Sequence, residues 1–328
     1  MVLQLLFCLL MVSTTLHLAN SAAPPYGQLS VKGKNVVGSN GQAVALHGMS
    51  LFWSSFSEGS PFYTADVVKA LKCQWNANVV RAAMGVEEGS GYLSNKQNQR
   101  NMVDTVIKAA IAQGIYVIVD WHDHNAQNHL SQANEFFTYI AQTYGSKNPN
   151  IIYEVFNEPL QVDWNSVIKP YHQSVVATIR KYDTKNIIVL GTRTWSQEVD
   201  TAANSPVSGS NLCYTLHYYA ASHKQDLRNK AQAALNKNVC IFVTEYGTVN
   251  ADGNGGMDQA SSQEWWTFLD NNKISYVNWA LDAKNEKSAA LNPGTQPSQV
   301  GSDSVLSESG KLVKAQLKKQ NNGVSCSG

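Results

Sequence analysis

The chain has 328 residues, of which 43% are hydrophobic and 15% are charged, and its formal net charge is +1. This composition excludes a disordered chain, because enough apolar side chains are present to form a core. The near balance of charge argues against binding of nucleic acid or of a membrane surface through bulk positive charge. The length fits one large domain or two ordinary ones.

The first segment, residues 1–22, predicts a secretory signal peptide. Residues 3–12 are apolar, the segment has no charged side chain, and small residues surround a cleavage site near Ser21 or Ala22. The apolar run is short for a membrane span, which disfavours the alternative of a membrane anchor. We therefore expect a secreted, extracellular protein whose mature part, residues 23–328, is one domain without an appended module.

Removal of the signal peptide would take away Cys8 and leave four cysteines. They are Cys73, Cys213, Cys240 and Cys326. In an exported protein they predict up to two disulfides, and three pairings are possible. Cys213 and Cys240 lie near the starts of predicted strands and can be neighbours, but a buried free thiol is the alternative for each. No CxxC or CxxxC pair occurs, so we expect no zinc site.

Eight short apolar runs repeat along the mature chain and alternate with predicted helices. The runs cover residues 43–46, 79–82, 116–120, 151–156, 187–190, 212–217, 240–244 and 274–279. Apolar residues at helical spacing predict helices within 103–111, 136–144 and 168–182, and a last helix over 312–319. Buried strands that alternate with helices indicate parallel pairing. Eight repeats predict a single (β/α)8 barrel, with a doubly wound open sheet as the alternative.

Polar or aromatic groups follow most of these strands at the end where such barrels carry their chemistry. They are Arg81, His122, Asn157, Glu158, His217, Tyr219, Glu245 and Trp279. Glu158 and Glu245 follow strands four and seven, so they can face each other across a ligand. Two carboxylates that flank one bond are what glycoside hydrolysis needs, one protonated and the other ionised. Either glutamate alone would be read equally well as a surface or ion-paired carboxylate.

The neighbours of the two glutamates suggest how their roles are divided. We expect Arg81 and Tyr219 to keep Glu245 ionised, and repulsion from Glu245 to keep Glu158 protonated. Three tryptophans follow predicted strands and are expected to stack against sugar rings: Trp53, Trp195 and Trp279. The others are interpreted as core residues: Trp75, Trp121, Trp164, Trp265 and Trp266.

These motifs resemble glycoside hydrolase family 5. Asn157-Glu158-Pro159 is similar to the acid/base motif of the family, and Glu245-Tyr246-Gly247 is similar to its nucleophile motif. Residues 48–53, 191–197 and 281–291 resemble the cellulase branch, and the resemblance extends over about 27–319. It implies a retaining endo-β-1,4-glucanase in which Glu158 is the general acid/base and Glu245 the nucleophile, with carboxylates about 5 Å apart.

The resemblance also implies a set of substrate-binding and supporting residues. They are Arg81, His122, Asn157, His217, Tyr219, Trp53, Trp195, Trp279, Lys284 and Glu286. Asn157 would bind the 2-hydroxyl group, while Lys284 and Glu286 would bind hydroxyls toward the non-reducing end. The enzyme would need no cofactor and no metal. It would be a monomer that binds a β-1,4-glucan, soluble or amorphous, and neither nucleic acid nor membrane.

Three alternatives remain open at this point. His122-Asp123-His124 with His217 suggests a metal-dependent barrel hydrolase, although zinc would need converging ligands. A non-catalytic glycan-binding protein on the same fold is possible, since fold alone does not fix function. The same catalytic residues would also serve an enzyme acting on mannan, xyloglucan or mixed-linkage glucan.

Overall fold

The computed structural model describes residues 23–326 and contains a closed barrel of eight parallel strands. A small antiparallel hairpin of β1 (Ser30–Lys32) and β2 (Asn35–Val37) precedes it. The barrel strands are β3 (His47–Leu51), β4 (Val79–Gly85), β5 (Tyr116–His122), β6 (Ile151–Glu154), β7 (Ile188–Leu190), β8 (Leu212–Tyr219), β9 (Ile241–Gly247) and β10 (Ser275–Leu281). Strand β10 pairs with β3 and closes the ring, which confirms the predicted (β/α)8 barrel.

Helices alternate with the strands and surround the barrel. They are α1 (Ala65–Trp75), α2 (Tyr92–Gln113), α3 (Leu130–Thr143), α4 (Lys169–Arg180), α5 (Arg193–Ser196), α6 (Val199–Asn204), α7 (Gln225–Asn236), α8 (Gln259–Asn271) and α9 (Glu308–Lys319). Helix α2 ends at Gly114, whose φ of 64° is the left-handed conformation that closes a helix at lowest cost in glycine. In the part of the chain that the structure describes, no helix is both long and apolar enough to cross a bilayer. The predicted signal peptide, residues 1–22, lies outside the described residues.

The first predicted strand is wrong, because residues 43–46 precede the barrel strand instead of forming it. Leu46 is fully buried, but it packs with Val79 and Tyr116 in an apolar cluster separate from the larger core. Strand β3 contains Gly48 and Ser50, so it lacks a continuous apolar run. A Cβ atom on Gly48 would lie 1.8 Å from the carbonyl oxygen of Val79, and this close approach requires glycine.

The four cysteines of residues 23–326 form two disulfides. Cys73 pairs with Cys326, and Cys213 pairs with Cys240 across Cα–Cα distances of 5.6 Å and 4.6 Å. The expectation that Cys213 and Cys240 are neighbours is therefore confirmed. The first disulfide joins α1 to the segment after α9 and closes a loop with a sequence separation of 253.

Replacing both Cys73 and Cys326 by serine should lower the free energy of unfolding by about 4 kcal/mol, because this long cross-link restricts the unfolded chain strongly. Denaturant unfolding of the oxidised wild type and of the double variant measures the difference. The variant should keep the far-ultraviolet circular dichroism spectrum of the barrel. A loss below about 1 kcal/mol would contradict the loop-closure account.

Candidate active site

A cavity of about 250 Å³ opens at the carboxyl end of the barrel strands. The residues that line it are Glu158, Trp195, Gln197, His217, Tyr219, His223, Glu245 and Ala251. Strands β8 and β9 contribute His217, Tyr219 and Glu245, while Glu158 follows β6 by a few residues. This is the end of a (β/α)8 barrel where catalytic groups are expected.

The carboxylates of Glu158 and Glu245 face each other in this cavity. One oxygen of each carboxylate and a ring nitrogen of His217 lie within 4.8 Å of one another. Carboxyl groups about 5–5.5 Å apart are characteristic of retaining glycosidases, whereas inverting enzymes need about 6.5–9.5 Å to admit a water molecule. The spacing therefore leaves one carboxylate to attack the sugar directly.

Glu245 is held by two hydrogen-bond donors. The hydroxyl of Tyr219 donates to Oε1 at 2.8 Å, and Nη1 of Arg81 donates to Oε2 at 3.1 Å. Burial raises the pKa of Glu245, and the charge of Glu158 adds to that rise, while His217, Arg81 and Tyr219 oppose it. The net pKa lies above the ordinary value, so Arg81 and Tyr219 favour the ionised carboxylate, as expected, but do not outweigh burial.

Glu158 has a histidine on each of its carboxylate oxygens. Nδ1 of His217 lies 2.9 Å from Oε1, and Nε2 of His124 lies 3.1 Å from Oε2. Burial raises the pKa of Glu158, but the hydrogen bonds from His124 and His217 outweigh burial and bring the pKa to about 2. The expectation that repulsion from Glu245 keeps Glu158 protonated is therefore wrong for the free enzyme. Sequence reasoning missed the contact with His124.

The hydrogen bonds of His217 define which of its ring nitrogens are protonated. The hydroxyl of Thr244 donates to Glu154 at 2.6 Å, so it can only accept from Nε2 of His217, 2.9 Å away. Burial lowers the pKa of His217, but the charge of Glu245 and the hydrogen bond to Glu158 help to raise it to about 9. His217 is therefore an imidazolium beside ionised Glu158, and it donates its Nδ1 proton to Oε1 of that carboxylate.

Arg81 lies deeper than the sequence placed it, because β4 continues to Gly85 and Arg81 is inside the strand. It is fully buried and bridges Glu154 at 2.7 Å, Asp120 at 2.9 Å and Glu245. Sequence reasoning did not select Asp120 or Glu154 for the site. The available signal was a carboxylate inside a strand that is otherwise apolar on both faces, since such a charge needs a buried partner.

An aromatic wall of Trp53, His122 and Trp279 adjoins the cavity beside Tyr219, outside the residues that line it. The His122 ring stacks on Trp279 with centroids 5.1 Å apart, and Trp53 meets His122 edge-on at 4.1 Å. Asp120 holds Nδ1 of His122 at 2.7 Å, which fixes the ring. The five tryptophans predicted to be core residues, Trp75, Trp121, Trp164, Trp265 and Trp266, are all buried.

Lys284 and Glu286 lie beside this wall, outside the residues that line the cavity. They pair with each other at 3.1 Å, and Nζ of Lys284 lies 5.2 Å from the ring centre of Phe52. Phe52 in turn contacts Trp279, with ring centroids 5.3 Å apart. The pair therefore adjoins the aromatic wall through Phe52.

Trp195 stands on another part of the cavity wall and is 42% exposed. Thr194, Trp195 and Ser196 have φ values of 59°, 52° and 56°, a strained conformation for three successive residues with side chains. The Ser196 hydroxyl donates to the Asn157 carbonyl at 2.8 Å, which ties this turn to the segment that carries Glu158. An exposed indole held in this way can stack on a ligand ring.

Replacing Trp195 by alanine should lower kcat/KM about tenfold on the β-1,4-glucan that the sequence resemblance implies as substrate, because a bound sugar ring would lose an aromatic surface. Initial rates on cellotetraose measure the effect. Trp195→Phe is the matched control and should recover most of the loss, since it keeps a flat ring. Equal losses in both variants would show that the turn, not the ring, matters.

The metal-dependent alternative required His122, Asp123, His124 and His217 to converge on one ion. Within residues 23–326 their ligand atoms do not form such a group. Nδ1 of His122 faces Asp120, Nε2 of His124 faces Glu158, and Asp123 faces His129. The arrangement does not support a zinc site built from these residues.

A parallel eight-stranded barrel with facing carboxylates at the carboxyl ends of its fourth and seventh strands, β6 and β9, defines the class of the protein as a glycoside hydrolase. The sequence model of the cellulase family, glycosyl hydrolase family 5, matches residues 37–285. The chain therefore belongs to this family.

Known relatives agree with this assignment. Endoglucanase Z of Dickeya dadantii is 46% identical over 91% of this chain and 68% of that protein. An endoglucanase of Clostridium saccharobutylicum is 42% identical over 96% of this chain and 70% of that protein. The catalytic domain of Thermobifida fusca endoglucanase Cel5A has a TM-score of 0.85 and 32% identity, covering 90% of this chain and all of that one.

Proposed function

We propose that this family 5 glycoside hydrolase, an endo-1,4-β-glucanase, cleaves internal bonds of soluble or amorphous β-1,4-glucans with retention of configuration. The approach of the Glu158 and Glu245 oxygens to within 4.8 Å carries the proposal, because it fits double displacement. The names of the relatives and a cellotetraose complex of the Thermobifida domain support β-glucan as the substrate.

In the first step Glu245 attacks the anomeric carbon, held in position by Tyr219 and Arg81. Glu158 gives a proton to the departing oxygen, so the leaving sugar departs neutral. In the second step ionised Glu158 takes a proton from water, and the resulting hydroxide releases the sugar from Glu245. The proton lost by Glu158 in the first step is regained in the second.

The supporting residues fit the binding of a sugar before the cleaved bond. Nη2 of Arg81 donates to Oδ1 of Asn157 at 2.6 Å, so the Asn157 amide nitrogen is left to donate to the 2-hydroxyl group. Such a bond strengthens in the transition state of glycosidases. The wall of His122, Trp53 and Trp279 would pack against the apolar face of the ring.

Further along the chain of sugars, Lys284 and Glu286 would bind hydroxyl groups toward the non-reducing end. Their mutual ion pair is partly exposed, so sugar hydroxyls can reach it.

We also propose that residues 1–22 act as a signal peptide and that the mature enzyme is secreted as a monomer. Amino-terminal sequencing of secreted protein and its mass in solution would test these two points.

The test of the function is reducing-sugar release by the purified mature protein on carboxymethyl-cellulose, mixed-linkage glucan, mannan and xyloglucan. Carboxymethyl-cellulose should be cut with the highest kcat/KM, and EDTA should leave the rate unchanged. Nuclear magnetic resonance of fresh product should show the β-anomer first. A preference for mannan or xyloglucan would overturn the substrate but keep the mechanism, whereas an α-anomer first would overturn retention.

A further inference from the structure

The two oxygens of Glu158 are held by histidines of different exposure. His217 binds Oε1, its side chain is 2% exposed, and its other nitrogen is fixed by Thr244. His124 binds Oε2, and its side chain is 27% exposed. His124 also lies in the connection between β5 and α3, not within a strand. Oε2 is therefore the oxygen that the glycosidic oxygen of a bound substrate can reach when the side chain of His124 moves away.

The charges around His124 favour its protonated form. Burial lowers the pKa of His124, but the hydrogen bond to Glu158 and the charges of Glu158, Glu245 and Glu88 outweigh burial and raise the pKa. His122 is the last residue of β5, two positions before His124, and burial and the positive charge of Arg81 keep its pKa well below the ordinary value. His122 is therefore neutral and adds no charge against His124.

The remaining charged groups of the same segment are already paired. The carboxylate of Asp123 accepts from the backbone of Asn125 at 2.8 Å and faces His129 at 2.8 Å. His129 also contacts Glu87 at 3.1 Å. Asp123, His129 and Glu87 are thus bonded to one another or to the backbone, while His124 is hydrogen-bonded to Glu158.

We propose that His124 stores the proton that Glu158 donates through Oε2 to the leaving sugar. This inference rests on the proposed function. In the free enzyme Nε2 of His124 carries the proton and Oε2 accepts its hydrogen bond. When the glycosidic oxygen of the substrate approaches Oε2, the proton passes from Nε2 to Oε2, and His124 becomes neutral.

The proton count closes over one turnover. Oε2 loses the proton to the leaving oxygen while the bond from that oxygen to the anomeric carbon breaks and Glu245 forms its bond to the same carbon. Glu158 then takes a proton from the attacking water as the bond between Glu245 and the sugar breaks. After the product leaves, Glu158 returns the proton to Nε2 of His124. No further reactant is needed.

His124→Gln tests the proposal, because glutamine can hydrogen-bond to Glu158 but cannot store a proton. On cellotetraose, kcat/KM should fall about tenfold near neutral pH, and the alkaline limb of its pH profile should move to lower pH. On 2,4-dinitrophenyl β-cellobioside, whose leaving group departs without protonation, the rate should stay within about twofold of wild type. A structural or binding role would lower both rates together.

His129→Gln is the matched control, since it removes a histidine from the same segment that faces Asp123 instead of Glu158. It should leave the alkaline limb on cellotetraose in place. Equal losses on both substrates in His124→Gln, or an unmoved alkaline limb, would overturn the proton store while wild-type activity upholds the function. A wild type inactive on cellotetraose and on the cellobioside would overturn both.

Discussion

Replacing Glu245 by glutamine should lower kcat on cellotetraose by about 10⁴-fold or more, because the covalent intermediate can no longer form. Replacing Glu158 by glutamine should lower it by about 10²- to 10⁴-fold, the usual contribution of a general acid/base. Both glutamates line the cavity and lie within 4.8 Å of each other, so a loss of rate alone would not tell their roles apart.

The substrate 2,4-dinitrophenyl β-cellobioside distinguishes the roles of the two glutamates, because its dinitrophenolate leaving group departs without protonation by a general acid. Glu158→Ala should still release dinitrophenol in a burst and accumulate a sugar bound to Glu245, which intact-protein mass spectrometry detects. Added azide should then capture that sugar as the β-azide. Glu245→Ala should show no burst. Azide that enters the space left by the missing carboxylate should attack the anomeric carbon and give the α-azide.

Glu87→Gln is the matched control for the loss of a carboxylate near the cleft, because Glu87 is exposed and faces His129. Its activity should stay close to that of wild type. More than about one hundredth of wild-type kcat in Glu245→Gln would contradict its role as nucleophile. A burst in Glu245→Ala and none in Glu158→Ala would show that the two roles are reversed.

The barrel and the two glutamates were accessible from sequence because each rests on a local signal. Apolar runs spaced by helices indicate parallel strands, and the end of a run marks where polar groups enter the cleft. Glu245 stands directly after such a run, and Glu158 stands two positions after another. The first barrel strand was not found in this way, because β3 has no continuous apolar run. It contains Gly48, which the close packing of β3 against Val79 requires.

The protonation pattern of the site was not accessible, since it depends on contacts between segments far apart in the chain. Glu158 receives hydrogen bonds from His124 and His217, which are 34 and 59 residues away in sequence. No sequence spacing reveals that both imidazoles reach the same carboxylate. The repulsion between the two glutamates raises the pKa of Glu245, whereas the hydrogen bonds from His124 and His217 lower the pKa of Glu158.

Replacing Arg81 by methionine should lower the free energy of unfolding by about 3–5 kcal/mol, the usual cost of removing one partner from a buried ion pair. Arg81 is the shared partner of Asp120, Glu154 and Glu245, and its side chain is fully buried. Without the guanidinium these buried carboxylates would depend on the imidazolium of His217 for compensating charge. Denaturant unfolding at pH 7 measures the loss.

The sign of the pH dependence follows from the same carboxylates. Burial already raises the pKa of Asp120 and of Glu245 in the wild type, and Arg81 opposes the rise in both. Without Arg81 the folded variant would bind more protons than the unfolded chain between about pH 4 and pH 7. Its stability should therefore recover as the pH falls from 7 to 5, by more than that of wild type.

Lys96→Met is the control for loss of a cation, because Lys96 pairs with Glu135 where both side chains are nearly half exposed, and the expected cost is at most about 0.5 kcal/mol. Arg81→Lys keeps the charge but not the planar fork that reaches Asp120, Glu154 and Glu245, so it should recover only part of the stability. A loss below about 1 kcal/mol in Arg81→Met would mean that the carboxylates had taken up protons or water at little cost. The buried arginine would then serve to orient Glu245, and kcat would fall without a matching loss of stability.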